Sequence, residues 1–262
     1  MHSCTANGSR TSLLNWKVKN VIKIEHTEIL GWEPAIRGMR NPLNSWEKSD
    51  TLFLRIDFCD EGEDYELAKM CGGHAPIIKN NDLDLMSRLR NAGTDHRKFM
   101  RMIAVYVDIT APLYWWKEMD TYSVGVVKNS CSTMHKIHAK EFTLDDFSHE
   151  HLTGETDGLW VNADGKYFMC SAYDFCAITC DVLNFYRKKF LETKDKKYWW
   201  QMIQLLPSSY NQRRTVMLNY EVLANIYKSR KNHKLDEWRD FCRWIEALPY
   251  SELITGEKEN ER

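Results

Sequence analysis

The segment that decides the fold is RRTVMLNYEVLANIYKSR, residues 213–230. Its apolar residues predict a long helix over residues 213–229. At about 100° per residue, Asn219 and Arg230 point in nearly the same direction, beside Leu223 on the apolar face. Burying such an amide or guanidinium without a partner costs about 1–3 kcal/mol, and more for the charge. The spacing favours an internal partner for these groups and leaves a bound ligand as the alternative.

The rest of the chain alternates between strand and helix patterns. Period-two apolar residues predict half-buried strands at residues 52–58 and 102–110. Asp164-Gly165 predicts the turn of a short hairpin, because both positions tolerate a positive φ. Helices are predicted at 82–91 (with Asp82 as the N-cap and Gly93 beyond the end), 183–193, 198–206 and 235–248.

Composition narrows the class of protein. The chain has 262 residues, 43% of them apolar, so we expect a single α+β domain over residues 1–254 and a polar tail over 255–262. A net charge of −1 lacks the basic excess of a duplex nucleic-acid binder. The eight cysteines form no CxxC pair, which favours reduced thiols, and no metal site is expected. Without a signal peptide or an apolar run of about 20 residues, we expect a cytoplasmic protein that does not enter a membrane.

The common catalytic motifs do not occur in the sequence. There is no P-loop, no GxGxxG, no HExxH and no GxSxG. A function must therefore rest on subtler patterns.

One such pattern combines Leu206-Pro207 with Asn219, Asn225 and Arg230. At these intervals it resembles the C-terminal region of the flavin-dependent thymidylate synthases, which reductively methylate dUMP to dTMP. The resemblance implies that Asn219 and Asn225 help to hold the flavin of FAD. It also implies that Arg230 binds and polarises the uracil of dUMP, as a substrate-binding and catalytic residue.

The similarity continues upstream over residues 82–134. His96, shortly after Gly93, stands where the family has a histidine that touches the flavin. Glu118 stands where the family usually has a glutamine that touches the nucleotide. Methylene-tetrahydrofolate and NADPH would be needed only if the protein is catalytically active.

The family signature itself is absent. Thr121, Tyr122 and Ser123 occupy the place of an Arg-His-Arg motif. Losing three charge-assisted hydrogen bonds would remove about 4–9 kcal/mol of binding, roughly three to six orders of magnitude in affinity. Other cations would have to compensate.

Two candidate cations, Arg37 and Arg40, lie in AIRGMRNPLNSW, residues 35–46, which is predicted to be a loop. They suit a phosphate of the substrate, and a solvated turn with surface cations is the equal alternative.

The resemblance implies a small twisted antiparallel sheet packed with long helices in an α+β, oligomeric protein, expected to be a homotetramer with sites at its interfaces. Three hypotheses follow. The chain is a divergent flavin-dependent enzyme, or a non-catalytic protein that binds or sequesters a small-molecule nucleotide without the flavin-phosphate clamp, or a purely structural assembly protein. A yellow preparation would favour the first, and a colourless one stabilised by dUMP the second.

Overall fold

The computed structural model describes residues 21–156 and 158–256, so most of the predicted polar tail, 257–262, lies outside the described residues. The strands are β1 (Lys23–Leu30), β2 (Leu52–Arg55), β3 (His74–Ile77), β4 (Ala104–Pro112), β5 (Val127–Ser130), β6 (Trp160–Ala163), β7 (Lys166–Met169) and β8 (Asn211–Asn219). The α-helices are α1 (Trp32–Arg40), α2 (Glu63–Met70), α3 (Asn80–Asn91), α4 (Leu113–Met119), α5 (Ala172–Thr193), α6 (Lys196–Leu205), α7 (Tyr220–Arg230), α8 (Asp236–Glu246) and α9 (Glu252–Thr255). Short 3-10 turns lie at Asn41–Leu43, Trp46–Lys48, Ile56–Phe58, Arg97–Arg101 and Leu144–Asp146.

A central antiparallel sheet has the order β1-β4-β8-β5. Along β4, Val105, Val107 and Ile109 are each at most 1% exposed, whereas the residues between them face the open side of the sheet. This alternation confirms the strand predicted from residues 102–110 and fixes which face carries the core.

The predicted helix over residues 213–229 is wrong in its first half. Residues up to Asn219 form β8, and only Tyr220–Arg230 is helical. The run Val216-Met-Leu218 is continuously apolar, so it fits the two-residue period of a strand as well as the 3.6-residue period of a helix. Periodicity alone therefore does not separate the two. Pairing with β4 on one side and β5 on the other selects the strand and buries Val216 and Leu218.

The remaining element predictions hold with changed boundaries. The strand predicted at 52–58 ends at Arg55 and continues as a 3-10 turn. The β6–β7 hairpin is confirmed, with Asp164 and Gly165 at φ 51° and 77°. The helix predicted at 183–193 is α5, which begins earlier because Ser171 and Asp174 form a capping box. The helices predicted at 198–206 and 235–248 are α6 and α8.

Asp82 is not the N-cap of α3, because Lys79 holds that position and Asp82 lies inside the first turn. Its buried carboxylate accepts hydrogen bonds from Arg40 Nε (2.7 Å), Ser49 Oγ (2.7 Å) and both the amide and hydroxyl of Thr51 (3.0 and 2.7 Å). It thereby ties α3 to the segment that follows α1.

Two clusters of buried side chains stabilise the fold. The larger one lies between the central sheet and helices α1, α3, α4, α7, α8 and α9. The smaller one holds α5 and α6 against residues 137–147, around Phe142, Phe147, Leu183 and Met202. In the described part of the chain, no helix is both long enough and apolar enough to cross a bilayer.

Candidate functional site

Four of the site residues predicted from the sequence, Asn219, Asn225, Arg230 and Glu118, lie on α7 or bind a residue of it. Helix α7 begins where β8 leaves the sheet, and the Asn219 side chain caps it by accepting a hydrogen bond from the Val222 amide at 3.0 Å. Asn219 therefore lies at the start of the helix rather than on the same helical face as Arg230. A Cβ on Gly125 would sit 3.1 Å from the Asn219 Nδ2, so the loop before β5 lies close over this amide.

At the other end of α7, Arg230 is held by side chains from α4, the turn after α4, and α8. Its Nη1 donates to the Glu118 Oε2 at 2.6 Å, and its Nε donates to the Tyr122 hydroxyl at 3.0 Å. The guanidinium lies over the Trp238 ring at 4.5 Å. We call this group of residues the Arg230 cluster; it consists of Glu118, Tyr122, Arg230, His233 and Trp238.

Glu118 is the internal partner that the spacing favours for Arg230. Its Oε2 also accepts from the Trp238 indole at 3.0 Å and lies 3.7 Å from the His233 Nε2. The pair is reachable from solvent, since the side chains of Arg230 and Glu118 are 18% and 36% exposed. The structure therefore brings together two of the predicted residues, a guanidinium and a carboxylate, at an accessible surface.

A second group, which we call the Glu221 cluster, lies at the start of α7 and consists of Arg97, Arg101, Glu221 and Asn225. Arg97 donates to Glu221 at 3.0 Å and to the Asn225 Oδ1 at 3.4 Å, and Arg101 also donates to Glu221. Burial raises the pKa of the Glu221 carboxyl, but hydrogen bonds from Arg101 and Arg97 outweigh it and hold the pKa below its usual range. His96 is exposed and directly precedes Arg97 in the chain, and Asn225 is exposed and accepts from the Arg97 side chain.

The segment 35–46 is not the loop that its composition predicts. Its first six residues belong to α1, because Trp32, Ala35, Ile36 and Met39 form an apolar helical face that packs into the core. Arg37 is exposed on this helix. Arg40 is 3% exposed and donates hydrogen bonds to Asp82 and Ser45, so its charge is paired inside the protein. We assign Arg40 to the structure of α1 and α3 rather than to a phosphate.

Sequence patterns did not single out His233, Trp238 or Glu221. Trp238 falls within the helix predicted at 235–248, and a helical pattern does not indicate that its indole reaches Glu118. Glu118 lies 120 positions before Trp238 in the chain. Tyr122 was visible as a departure from the family signature, and the structure shows that it binds Arg230.

Two cavities of the described part of the chain are lined by none of the residues of the two clusters. One of about 260 Å³ is bordered by Gly31, Trp32, Phe53, Cys71 and His74. Another of about 410 Å³ lies beside residues 58–64. Among the described residues, no group of three or more His, Cys, Asp or Glu side chains is arranged to hold a metal ion.

No protein-family model and no curated protein matches this sequence. Solved structures do match its fold. A flavin-dependent thymidylate synthase, ThyX, from Helicobacter pylori complexed with FAD and dUMP aligns with a TM-score of 0.56 at 16% identity, over 90% of this chain and 98% of that one. A second structure of the Helicobacter pylori enzyme with FAD and dUMP gives 0.56 at 15% identity, over 90% and 97%. A UMP/dUMP methylase, PolB, from Streptomyces cacaoi bound with 5-Br UMP gives 0.53 at 12% identity, over 91% and 96%. The chain thus has a mixed helix and sheet fold similar to that of these proteins along nearly their whole length.

Proposed function

We propose that this protein binds a pyrimidine nucleotide of the uridine or deoxyuridine monophosphate class at the Arg230 cluster. The observation that carries the proposal is the accessible Arg230–Glu118 pair at the end of α7. It occurs in a chain that shares its fold with proteins solved with dUMP or 5-Br UMP. Fold alone does not assign a function, so the chemistry of the cluster has to support it.

The hydrogen-bonding edge of uracil matches this pair. Its N3–H is a donor, and the adjacent O2 is an acceptor. A carboxylate such as that of Glu118 only accepts, and a guanidinium such as that of Arg230 only donates. A uracil ring inserted between them would donate from N3–H to Glu118 and accept at O2 from Arg230, so each group would exchange their direct bond for a hydrogen bond to the base.

The surrounding side chains restrict how Arg230 moves. Trp238 is 0% exposed, lies under the guanidinium and donates to Glu118. It therefore contacts both members of the pair and restricts their movement. Tyr122 binds the Arg230 Nε and Glu118 binds Nη1, so a uracil that takes the place of Glu118 would meet the guanidinium at its Nη nitrogens. Such fixed donors and acceptors reduce the entropy that binding costs.

The experiment is titration calorimetry of the full chain with dUMP and with UMP. We expect binding that Arg230→Ala weakens by about 10- to 150-fold, the equivalent of one charge-assisted hydrogen bond. Lys228→Ala is the matched control, because Lys228 is exposed on the same helix, and it should bind as the wild type does. If the wild-type protein takes up neither nucleotide, or if Arg230→Ala binds as tightly as wild type, the proposal is wrong.

A second candidate function is that of a flavin-dependent thymidylate synthase-like enzyme. The observation that favours it is that His96 and Asn225 are both exposed, Asn225 bound to Arg97 and His96 next to Arg97 in the chain. These groups, together with Asn219, suit contacts to the rim of a flavin. The pyrophosphate of FAD would need free cations, and Arg97 and Arg101 are already bound to Glu221. The residues that would meet the flavin ring fit the cofactor, whereas the arginines that would meet its pyrophosphate do not. We therefore assign no redox step.

Whether the protein binds FAD can be measured directly from the absorbance of the purified protein. We expect protein purified without added cofactor to be colourless, because Glu221 would repel the pyrophosphate that Arg97 and Arg101 would otherwise bind. Replacing Glu221 with glutamine frees both arginines and is expected to increase FAD uptake, followed by the absorbance of oxidised flavin. A yellow wild-type preparation would instead support the enzyme, with methylene-tetrahydrofolate and NADPH as its further substrates.

A further inference from the structure

A cavity of about 260 Å³ lies between the junction of β1 with α1 and the β2–β3 hairpin. Its lining consists of residues 29–34 together with Phe53, Cys71, Gly72 and His74. None of these belongs to the Arg230 cluster or to the Glu221 cluster. A cavity of about 150 Å³ is enough to hold benzene, so this one has room for a single aromatic ring with a substituent.

The Trp32 side chain brings a buried donor without an acceptor to this cavity. Trp32 is 3% exposed, and its Nε1 has no hydrogen-bond partner among the described residues. Burial raises the pKa of the Cys71 thiol to about 12, against a smaller lowering by the Trp32 indole N–H, which therefore faces this second lining residue. The two side chains form no hydrogen bond, and a thiol is a weak acceptor. A buried donor left unpaired is costly, so an oxygen atom bound in the cavity would find a favourable position beside it.

Two tyrosines hold the Trp32 ring in place. Tyr220 and Tyr250 meet it edge to face, with ring centroids 5.2 and 5.4 Å away. Their hydroxyls donate to the backbone carbonyls of Pro249 at 2.6 Å and Pro76 at 2.9 Å. The indole is therefore fixed in orientation, and it offers its donor to the cavity without a rearrangement of the core.

We propose that this cavity binds a small neutral aromatic amide, which is one planar ring bearing a CONH2 group. The amide oxygen accepts a hydrogen bond from the Trp32 indole, and the ring packs against the apolar lining residues Ile29, Leu30 and Phe53. The amide NH2 donates to the carboxylate of Glu33, which is exposed and also borders the cavity. An apolar concave lining with a few polar groups that fix the orientation of the ligand is the usual form of a small-molecule site.

The charge of Glu33 selects a neutral amide over related ligands. The start of α1 has no side-chain cap and would attract an anion, but Glu33 lies in its first turn. A ring carboxylate would therefore meet a carboxylate of the protein, and a ring amine would leave the Trp32 donor unpaired. His74 also borders the cavity, and its imidazolium form would attract a carboxylate, so the ligands are compared at about pH 8.

The test is saturation-transfer NMR of the full chain with benzamide, benzoate and benzylamine as probes. We expect saturable binding of benzamide, with the other two probes weaker by about tenfold or more. Trp32→Phe removes the N–H but keeps an aromatic side chain, and it should weaken benzamide binding by about three- to tenfold. The matched control is Trp160→Phe, because Trp160 is 58% exposed on the β6–β7 hairpin and lies outside the cavity lining. This control should bind benzamide as the wild type does.

Glu33→Gln provides a second test that leaves the buried tryptophan in place, and it decides the matter if circular dichroism shows that Trp32→Phe does not fold. The change removes the charge and keeps an acceptor, so the affinity for benzoate should rise by about tenfold toward that for benzamide. Saturating dUMP should not displace benzamide, because the Arg230 cluster is a separate site. The proposal is overturned if the wild-type protein shows no saturable benzamide binding or binds benzoate equally well. It is also overturned by a folded Trp32→Phe of unchanged benzamide affinity, by a Glu33→Gln of unchanged benzoate affinity, or by displacement of benzamide with dUMP.

Discussion

Replacing Asp82 with alanine is expected to destabilise the fold by about 3–5 kcal/mol. The Asp82 side chain is 0% exposed, and Arg40 beside it is 4% exposed. Without the carboxylate, the Arg40 charge stays buried with no counter-charge, and the Ser49 and Thr51 donors lose their acceptor. Urea unfolding followed by circular dichroism measures the loss.

The matched control for this change is Asp84→Ala. Asp84 lies on the same helix two positions later and is exposed, so its loss should change the free energy of unfolding by less than about 0.5 kcal/mol. Removing the cation as well, in the double variant Arg40→Met with Asp82→Ala, should recover part of the stability, because no unpaired charge then remains. An Asp82→Ala variant as stable as Asp84→Ala would show that the pair contributes nothing.

The same pair gives the stability a definite dependence on pH. Burial raises the pKa of Asp82, but hydrogen bonds from Thr51, Ser49 and Arg40 outweigh it and leave the pKa below its usual value. A carboxyl whose pKa is depressed by folding stabilises the protein above its unfolded pKa of about 3.9, and this contribution is lost as the pH falls toward the lower folded value. We therefore expect the wild-type protein to lose more stability below about pH 4 than Asp82→Ala does.

Gly31→Ala is expected to cost roughly 3–5 kcal/mol of stability, for two separable reasons. Gly31 joins β1 to α1 at φ 95°, a conformation that residues with a Cβ rarely adopt. A Cβ at this position would also lie 2.1 Å from the carbonyl oxygen of Met102, which is backbone and cannot rotate away. The chain would have to move β1, α1 or the segment before β4.

Two other glycines separate these causes. Gly93 has φ 107° with nothing within 4 Å of its added Cβ, so Gly93→Ala should show only the backbone cost of about 1–2 kcal/mol. Gly154 has an ordinary φ and open space, so Gly154→Ala should be within about 0.5 kcal/mol of wild type. Equal unfolding midpoints for Gly31→Ala and Gly93→Ala would contradict the clash with Met102.

Of the four strands of the central sheet, the sequence predicted only β4. β4 was visible because one face of the strand is buried and the other is not. β8 was not, because its apolar residues adjoin a true helix and its strand character comes from neighbours more than ten residues away along the chain. Asn219 was consequently assigned to a helical face, whereas it caps the helix.

At the candidate site, the sequence identified Arg230 and Glu118 but not how they meet. Their partnership depends on α4 and α7 lying together against α8, which no local pattern encodes. Arg40 illustrates the opposite case. Its neighbours Gly38, Asn41 and Pro42 indicate a loop, but four apolar residues from Trp32 onward are enough to make the segment helical and to draw the arginine inside. Asn225, His96 and Arg37 remain predictions as ligand contacts.

The pairing of β4 with β8 also governs the order in which the chain assembles. Even the nearest partners in this ladder, Pro112 and Asn211, are about a hundred positions apart, so joining them closes a long loop at a large entropic cost. The intervening residues have a core of their own, around Phe142 and Met202, which can form before the loop closes. We therefore expect the ladder to be a late, slow step of folding. Because α7 starts where β8 ends, the Arg230 cluster can form only after the residues through Trp238 have been synthesised.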